Sequence, residues 1–191
     1  MNIKKLVEDY KKYHKDNLVK LLDHYRELEF EQAIEQAALG LNEKEKTHSH
    51  QCCISRDAKK KSKKILLSNI DSIRKSKNFE ALIKLISEIT DPITGLGSLY
   101  VYDTSLRIGA KLDLSPEKVY LHSDTSKGYK ALMGIKRLEN NCRTIEVDKL
   151  RDCLKNGELD PCEIEDFLCI YKDCFGKEGN ECDLSKLRSC K

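Results

Sequence analysis

Apolar residues recur along most of this chain at the spacing of three and four that marks one face of an α-helix. A stripe from Ile3 to Leu28 predicts a long amphipathic N-terminal helix. Further helices are predicted over 29–39, 56–75, 79–89, 98–112, 124–133, 147–155 and 161–175, with a one-turn helix at 116–121. Strand signals are weak, and residues 99–102 are the best candidate. The pattern therefore predicts a compact all-α fold of several helices.

Residue types at the predicted helix ends agree with this pattern. Gly40 stands where a C-terminal cap is expected, and Ser55 and Asn78 precede helices as N-caps. Asp160, followed by Pro161 and Glu163, has the form of a capping box. We expect an N-terminal extension of two helices (1–41), a loop, and a helical domain (54–191).

Composition narrows the class of protein. The chain has 191 residues, of which 39 % are hydrophobic, and a formal net charge of +3. No run of about 18 apolar residues is present, so no membrane span is expected. No apolar stretch follows the basic start, so no signal peptide is expected either, and a cytoplasmic location is predicted.

Nine cysteines are present, and seven of them lie in the last 50 residues of the chain. None of these seven forms a C-x-x-C pair, the usual zinc or redox signature. Cys162 and Cys169 are seven residues apart and share one helix face. Burial as small apolar side chains is the leading interpretation, and a metal site or redox switch remains open. We predict no cofactor and no metal ligands.

The most informative segment joins two predicted helices through Ile93-Thr94-Gly95-Leu96-Gly97. Glycines permit a tight turn without side chains between the backbone and a ligand. The helix that follows begins with unpaired N–H groups, which suit a phosphate. Gly95, Gly97 and Ser98 are therefore predicted to contact phosphate. A plain helix connector would use the same glycines.

An apolar-x-Gly-apolar-Gly turn between helices resembles the helix-hairpin-helix motif of DNA-binding proteins and DNA glycosylases, over about residues 79–112. The resemblance implies an all-helical DNA-binding scaffold with a catalytic Asp beyond the hairpin, and it makes Asp103 the candidate. Leu99 stands where bifunctional members carry lysine, so lyase chemistry is not expected. Asp103 comes only six residues after Gly97, inside a helix, where a surface ion pair with Arg107 is the alternative role. The phrases VYDTSLRIG and EIEDFLCIYK also resemble short, uncharacterised bacterial proteins.

Charge is distributed unevenly along the chain. Residues 56–77 carry nine basic and two acidic side chains, a net charge of +7, and residues 158–183 carry nine acids and two lysines, a net charge of −7. A basic helix before a phosphate-binding hairpin suits nucleic acid. We expect non-specific attraction from Lys60, Lys61, Lys63 and Lys64. A solvated helix face is the alternative.

The segment 48–53, His-Ser-His-Gln-Cys-Cys, places four metal-competent side chains in six residues. A closed zinc site needs a second, distant pair, and none is evident. His48 and His50 are instead candidates for contact with a ligand.

Nucleic-acid binding through the hairpin and the basic helix is the leading predicted function, and DNA is the leading partner. Two alternatives remain. One is a helical module that binds a protein partner through its N-terminal or acidic C-terminal helices. The other is a binder of, or an enzyme acting on, a small anionic ligand, with the 48–53 loop near the hairpin.

Overall fold

The computed structural model describes residues 2–48, 51–138, 143–154, 158–175 and 187. This part of the chain forms ten helices and two short strands. They are α1 (Ile3–Tyr13), α2 (Lys15–Glu27), α3 (Phe30–Leu39), α4 (Arg56–Ser68), α5 (Ile70–Arg74), α6 (Phe79–Thr90), α7 (Ser98–Leu112), β1 (Lys118–Tyr120), α8 (Ser123–Met133), β2 (Thr144–Glu146), α9 (Asp148–Arg151) and α10 (Pro161–Ile170). The fold is mostly helical, as predicted, with a small sheet that was not predicted. Within the described residues, no helix has both the length and the apolar character that crossing a bilayer requires.

The chain forms two compact units. The central unit is Val19–Pro116, and the terminal unit combines Met1–Leu18 with Glu117–Lys191. These units do not coincide with the predicted extension (1–41) and domain (54–191), because α1 belongs with the C-terminal part of the chain.

The apolar face of α1 is buried in the core of the terminal unit. The fully buried Tyr10 ring meets Phe167 of α10 edge-on, with 5.9 Å between ring centres. The Tyr171 hydroxyl donates a 2.7 Å hydrogen bond to the Asp9 carboxylate. The apolar stripe of α1, considered above as a partner-binding surface, is thus used within its own unit.

The two strands of the terminal unit pair antiparallel, with Val119 opposite Ile145 and both side chains buried. The predicted one-turn helix at 116–121 is therefore wrong. Burial alternates along β1, and a β-branched residue at its centre packs well on a pleated surface.

Most of the predicted helix ends are confirmed. Gly40 caps α3 in the left-handed region, with φ of +68°. Ser55 and Asn78 accept backbone N–H bonds of 3.1 and 2.8 Å at the starts of α4 and α6. Asp160 and Glu163 form the capping box of α10.

Two long predicted helices are each divided. The predicted helix over 3–28 breaks at His14 between α1 and α2, and the one over 56–75 breaks at Asn69 between α4 and α5. The Asn69 side chain donates to the Ile65 carbonyl at 2.8 Å, so an asparagine competes for a carbonyl of the preceding turn. Residues 99–102, the best strand candidate, lie in α7, whose bounds match the prediction.

Candidate functional site

The glycine turn lies between α6 and α7 of the central unit. Gly95 has a φ of +93°, a conformation that favours glycine, and Gly97 is the N-cap of α7 with extended backbone. No side chain caps α7 in the described part of the chain, and a Cβ added at either glycine would meet nothing within 4 Å. Gly95, Gly97 and Ser98 are all exposed. The first N–H groups of α7 therefore face an open approach.

Backbone contacts and two half-buried side chains fix this turn. The Ile93 amide donates to the Thr90 carbonyl at 2.9 Å, and the Leu96 amide to the Ile93 carbonyl at 3.4 Å. Ile93 and Leu96 are the half-buried pair, while the glycines between and after them stay exposed. The glycines of the turn are thus exposed, while these contacts hold the turn in position.

A buried hydrogen bond joins α4 to the start of α7. The Tyr100 hydroxyl, in the first turn of α7, donates to the Ala38 carbonyl at 2.9 Å and accepts a hydrogen bond from Ser62 Oγ at 2.7 Å. Ser62 lies within the run of lysines from residue 59 to residue 64. The basic helix and the glycine turn therefore belong to one packed region of the central unit.

The four predicted lysines differ in their surroundings. Lys61 pairs with Asp57 at 2.8 Å, and Lys63 pairs with Glu35 of α3. Lys60 and Lys64 are exposed, and neither makes an ion pair with a described residue. These two, four residues apart on one helix face, are the cations available to an external anion.

Four polar side chains lie near the middle of α7. They are Gln51, Lys59, Asp103 and Arg107, and we call them the polar cluster. Gln51 is fully buried and donates from Nε2 to Asp103 Oδ2 at 3.2 Å. Arg107 approaches the same oxygen at 3.8 Å. The predicted pair of Asp103 and Arg107 is present, but the two side chains are only 12 % and 3 % exposed, so it is not a surface pair.

Positive charge is in excess within this cluster. Two guanidinium nitrogens of Arg107, Nε and Nη1, are buried without a hydrogen-bond partner. Lys59 is 6 % exposed and makes no hydrogen bond or ion pair with a described residue. Burial lowers the pKa of the Lys59 amine, and the charge of Arg107 lowers it further.

Sequence reasoning identified only part of this cluster. The sequence places Lys59 only within the basic run 56–77, and no local signal distinguishes Gln51 between two histidines and two cysteines. Only the spacing of Asp103 and Arg107 pointed to their contact. Gln51, in the segment 48–53, contacts Asp103, which lies six residues beyond Gly97 on α7.

Of the two histidine candidates for ligand contact, the structure describes only His48. His48 is half-buried, and its amide donates to the Gly40 carbonyl at 2.8 Å. His50 lies outside the described residues. Across the ranges that the structure describes, no three His, Cys, Asp or Glu side chains are arranged to hold a metal ion.

The described cysteines fall into distinct chemical groups. Cys52 and Cys53 are exposed free thiols with sulfurs 3.6 Å apart, and Cys174 is disulfide-bonded. Burial raises the pKa of the Cys162 thiol and raises that of Cys169 to about 12. Since the thiolate is the reactive form, we expect the thiols of Cys162 and Cys169 to react slowly.

Alkylation should separate these groups. With iodoacetamide at pH 8, we expect Cys52 to be labelled at least about 100-fold faster than Cys162 or Cys169, because only about one in 10⁴ Cys169 thiols is ionised there. Peptide mass spectrometry against time gives each rate. Equal rates at Cys52 and Cys162 would contradict the burial of α10.

Comparison of the chain with known protein families, with curated proteins and with solved structures finds no match.

Proposed function

We propose that this chain binds nucleic acid through its phosphate backbone, at the glycine turn and the start of α7. The observation that carries the proposal is the open, uncapped N-terminus of α7, which begins at Gly97 beside a glycine of positive φ. Free N–H groups and the helix dipole at such an end favour an anion. A Cβ added at Gly95 or Gly97 would meet no atom within 4 Å, so both glycines border open space.

The exposed cations of α4 support the same proposal. Lys60 and Lys64 lie on the helix whose Ser62 is bonded to Tyr100, in the first turn of α7. Lysine contacts with phosphate release counterions and give affinity without sequence selectivity. The proposed activity is therefore non-specific, salt-dependent binding. It assigns no chemical step to Asp103, whose carboxylate contacts Gln51 and Arg107.

Replacement of the two free lysines tests the electrostatic part of the proposal. The double variant Lys60→Gln/Lys64→Gln should bind a fluorescently labelled DNA duplex about tenfold more weakly than wild type, measured by anisotropy at about 50 mM salt. The slope of log affinity against log salt should become shallower by about 1 for each lysine that contacts phosphate.

A matched control removes the same charge from the terminal unit. Lys4 and Lys11 are exposed residues of α1, so Lys4→Gln/Lys11→Gln lowers the net charge equally. We expect this control to keep the wild-type slope. Equal losses in both double variants would mean that net charge alone attracts DNA, against a role for α4.

A further inference from the structure

The polar cluster of the central unit lacks a counter-charge. Arg107 and Lys59 are both more than nine-tenths buried, and Asp103 is the carboxylate that Arg107 contacts. With both cations charged, these three groups carry one net positive charge. Two nitrogens of Arg107 and the amine of Lys59 have no bonded partner among the described residues.

The unpartnered atoms are suited to an oxyanion. The Arg107 nitrogens and the Lys59 amine are donors only and carry positive charge, and such groups favour an anion with several acceptor oxygens. A phosphate group offers three such oxygens and nearly two negative charges, whereas a carboxylate offers two oxygens and one charge. The Oε1 atom of Gln51 is also buried without a hydrogen-bond partner, and it lies against Gly40, where an added Cβ would stand 1.9 Å from it.

We propose that Arg107 and Lys59 form a binding site for one phosphate group. The site is separate from the glycine turn, since Arg107 lies ten residues beyond Gly97 on α7, a rise of about 15 Å. It therefore goes beyond backbone binding at the turn. A phosphorylated small molecule and the terminal phosphate of a nucleic acid supply the same chemistry.

Titration calorimetry with uridine 5′-monophosphate, and with uridine as the ligand that lacks the phosphate, tests the site. Wild type should bind the monophosphate saturably and uridine at least about tenfold more weakly. Lys59→Met keeps the length of the side chain and removes its charge, and it should weaken monophosphate binding at least about tenfold. Lys84→Met removes an exposed charge from α6 of the same unit and should leave the affinity unchanged.

A second variant, Arg107→Met, keeps the test valid if Lys59→Met does not fold. Far-UV circular dichroism checks that each variant keeps the helical content of wild type. A saturable, phosphate-dependent isotherm that at least one folded variant weakens about tenfold or more supports the site. No saturable binding to wild type overturns it, as does wild-type affinity in both folded variants.

Oligonucleotides identify the source of the phosphate. A trinucleotide with a 5′-phosphate is compared with the same trinucleotide ending in a 5′-hydroxyl. If the 5′-phosphorylated trinucleotide binds more tightly than uridine 5′-monophosphate, the site is assigned to nucleic-acid ends. If uridine 5′-monophosphate binds more tightly, the site is assigned to small phosphate monoesters. Because the mononucleotide arm does not depend on duplex binding, failure of this site and failure of the glycine turn are distinguishable.

Discussion

Replacing Gly128 with alanine should destabilise the terminal unit by about 3 kcal/mol or more, because overpacking of a close contact forces backbone to move. Gly128 lies on the face of α8 that packs against α10. A Cβ there would stand 2.0 Å from the Leu168 carbonyl oxygen and 2.8 Å from its carbon. These are backbone atoms, so a rotamer change cannot relieve the contact. Urea unfolding followed by far-UV circular dichroism measures the loss.

Gly134→Ala, at the end of the same helix, is the matched control. Gly134 has a φ of +66° and open space at its Cβ position, so alanine there costs only the strain of the left-handed conformation, about 1–2 kcal/mol. If Gly128→Ala unfolds at the same urea concentration as wild type, the close packing of α8 on α10 is contradicted.

Gly97→Asp should weaken DNA binding while leaving the free energy of unfolding equal to that of wild type or slightly higher. The backbone of Gly97 is extended and its surroundings are open, so an aspartate fits without strain. As an N-cap its carboxylate would bond to the free N–H groups of α7, which leaves stability equal to wild type or a few tenths of a kcal/mol higher. The same carboxylate would occupy and repel the phosphate position, and we expect at least about a tenfold loss of DNA affinity.

Gly97→Asn separates charge from occupancy. Asparagine caps the helix with the same shape and no charge, so its loss of affinity should be smaller than that of aspartate. Anisotropy and urea unfolding are measured on the same preparations. Unchanged DNA affinity in a folded Gly97→Asp protein would remove the glycine turn from the binding surface.

The helices could be predicted where local signals agree. The bounds of α7 and the caps at Ser55, Asn78 and Asp160 follow from periodicity and from side chains that bond to nearby amides. The glycine turn was found for the same reason, since its residues are consecutive. Local signals did not predict β1, because its partner strand lies more than twenty residues away.

The polar cluster could not be predicted, since it depends on contacts between distant residues. Gln51 and Asp103 are 52 residues apart, and nothing near either residue indicates that they meet. Lys59 differs from Lys60 only in the direction it faces on α4, and tertiary packing decides which of the two is buried. The close approach of Gly128 to α10 is hidden from the sequence for the same reason.

Binding of wild-type protein to labelled duplex DNA across a range of salt concentrations tests the proposed function most directly. If the start of α7 and the lysines of α4 together contact about three phosphates, affinity should fall about 15–60-fold between 50 and 200 mM salt. A linear plot of log affinity against log salt, with a slope of about −2 to −3, is the predicted result. No binding at the lowest salt, or an affinity that does not change with salt, would contradict phosphate recognition by this chain.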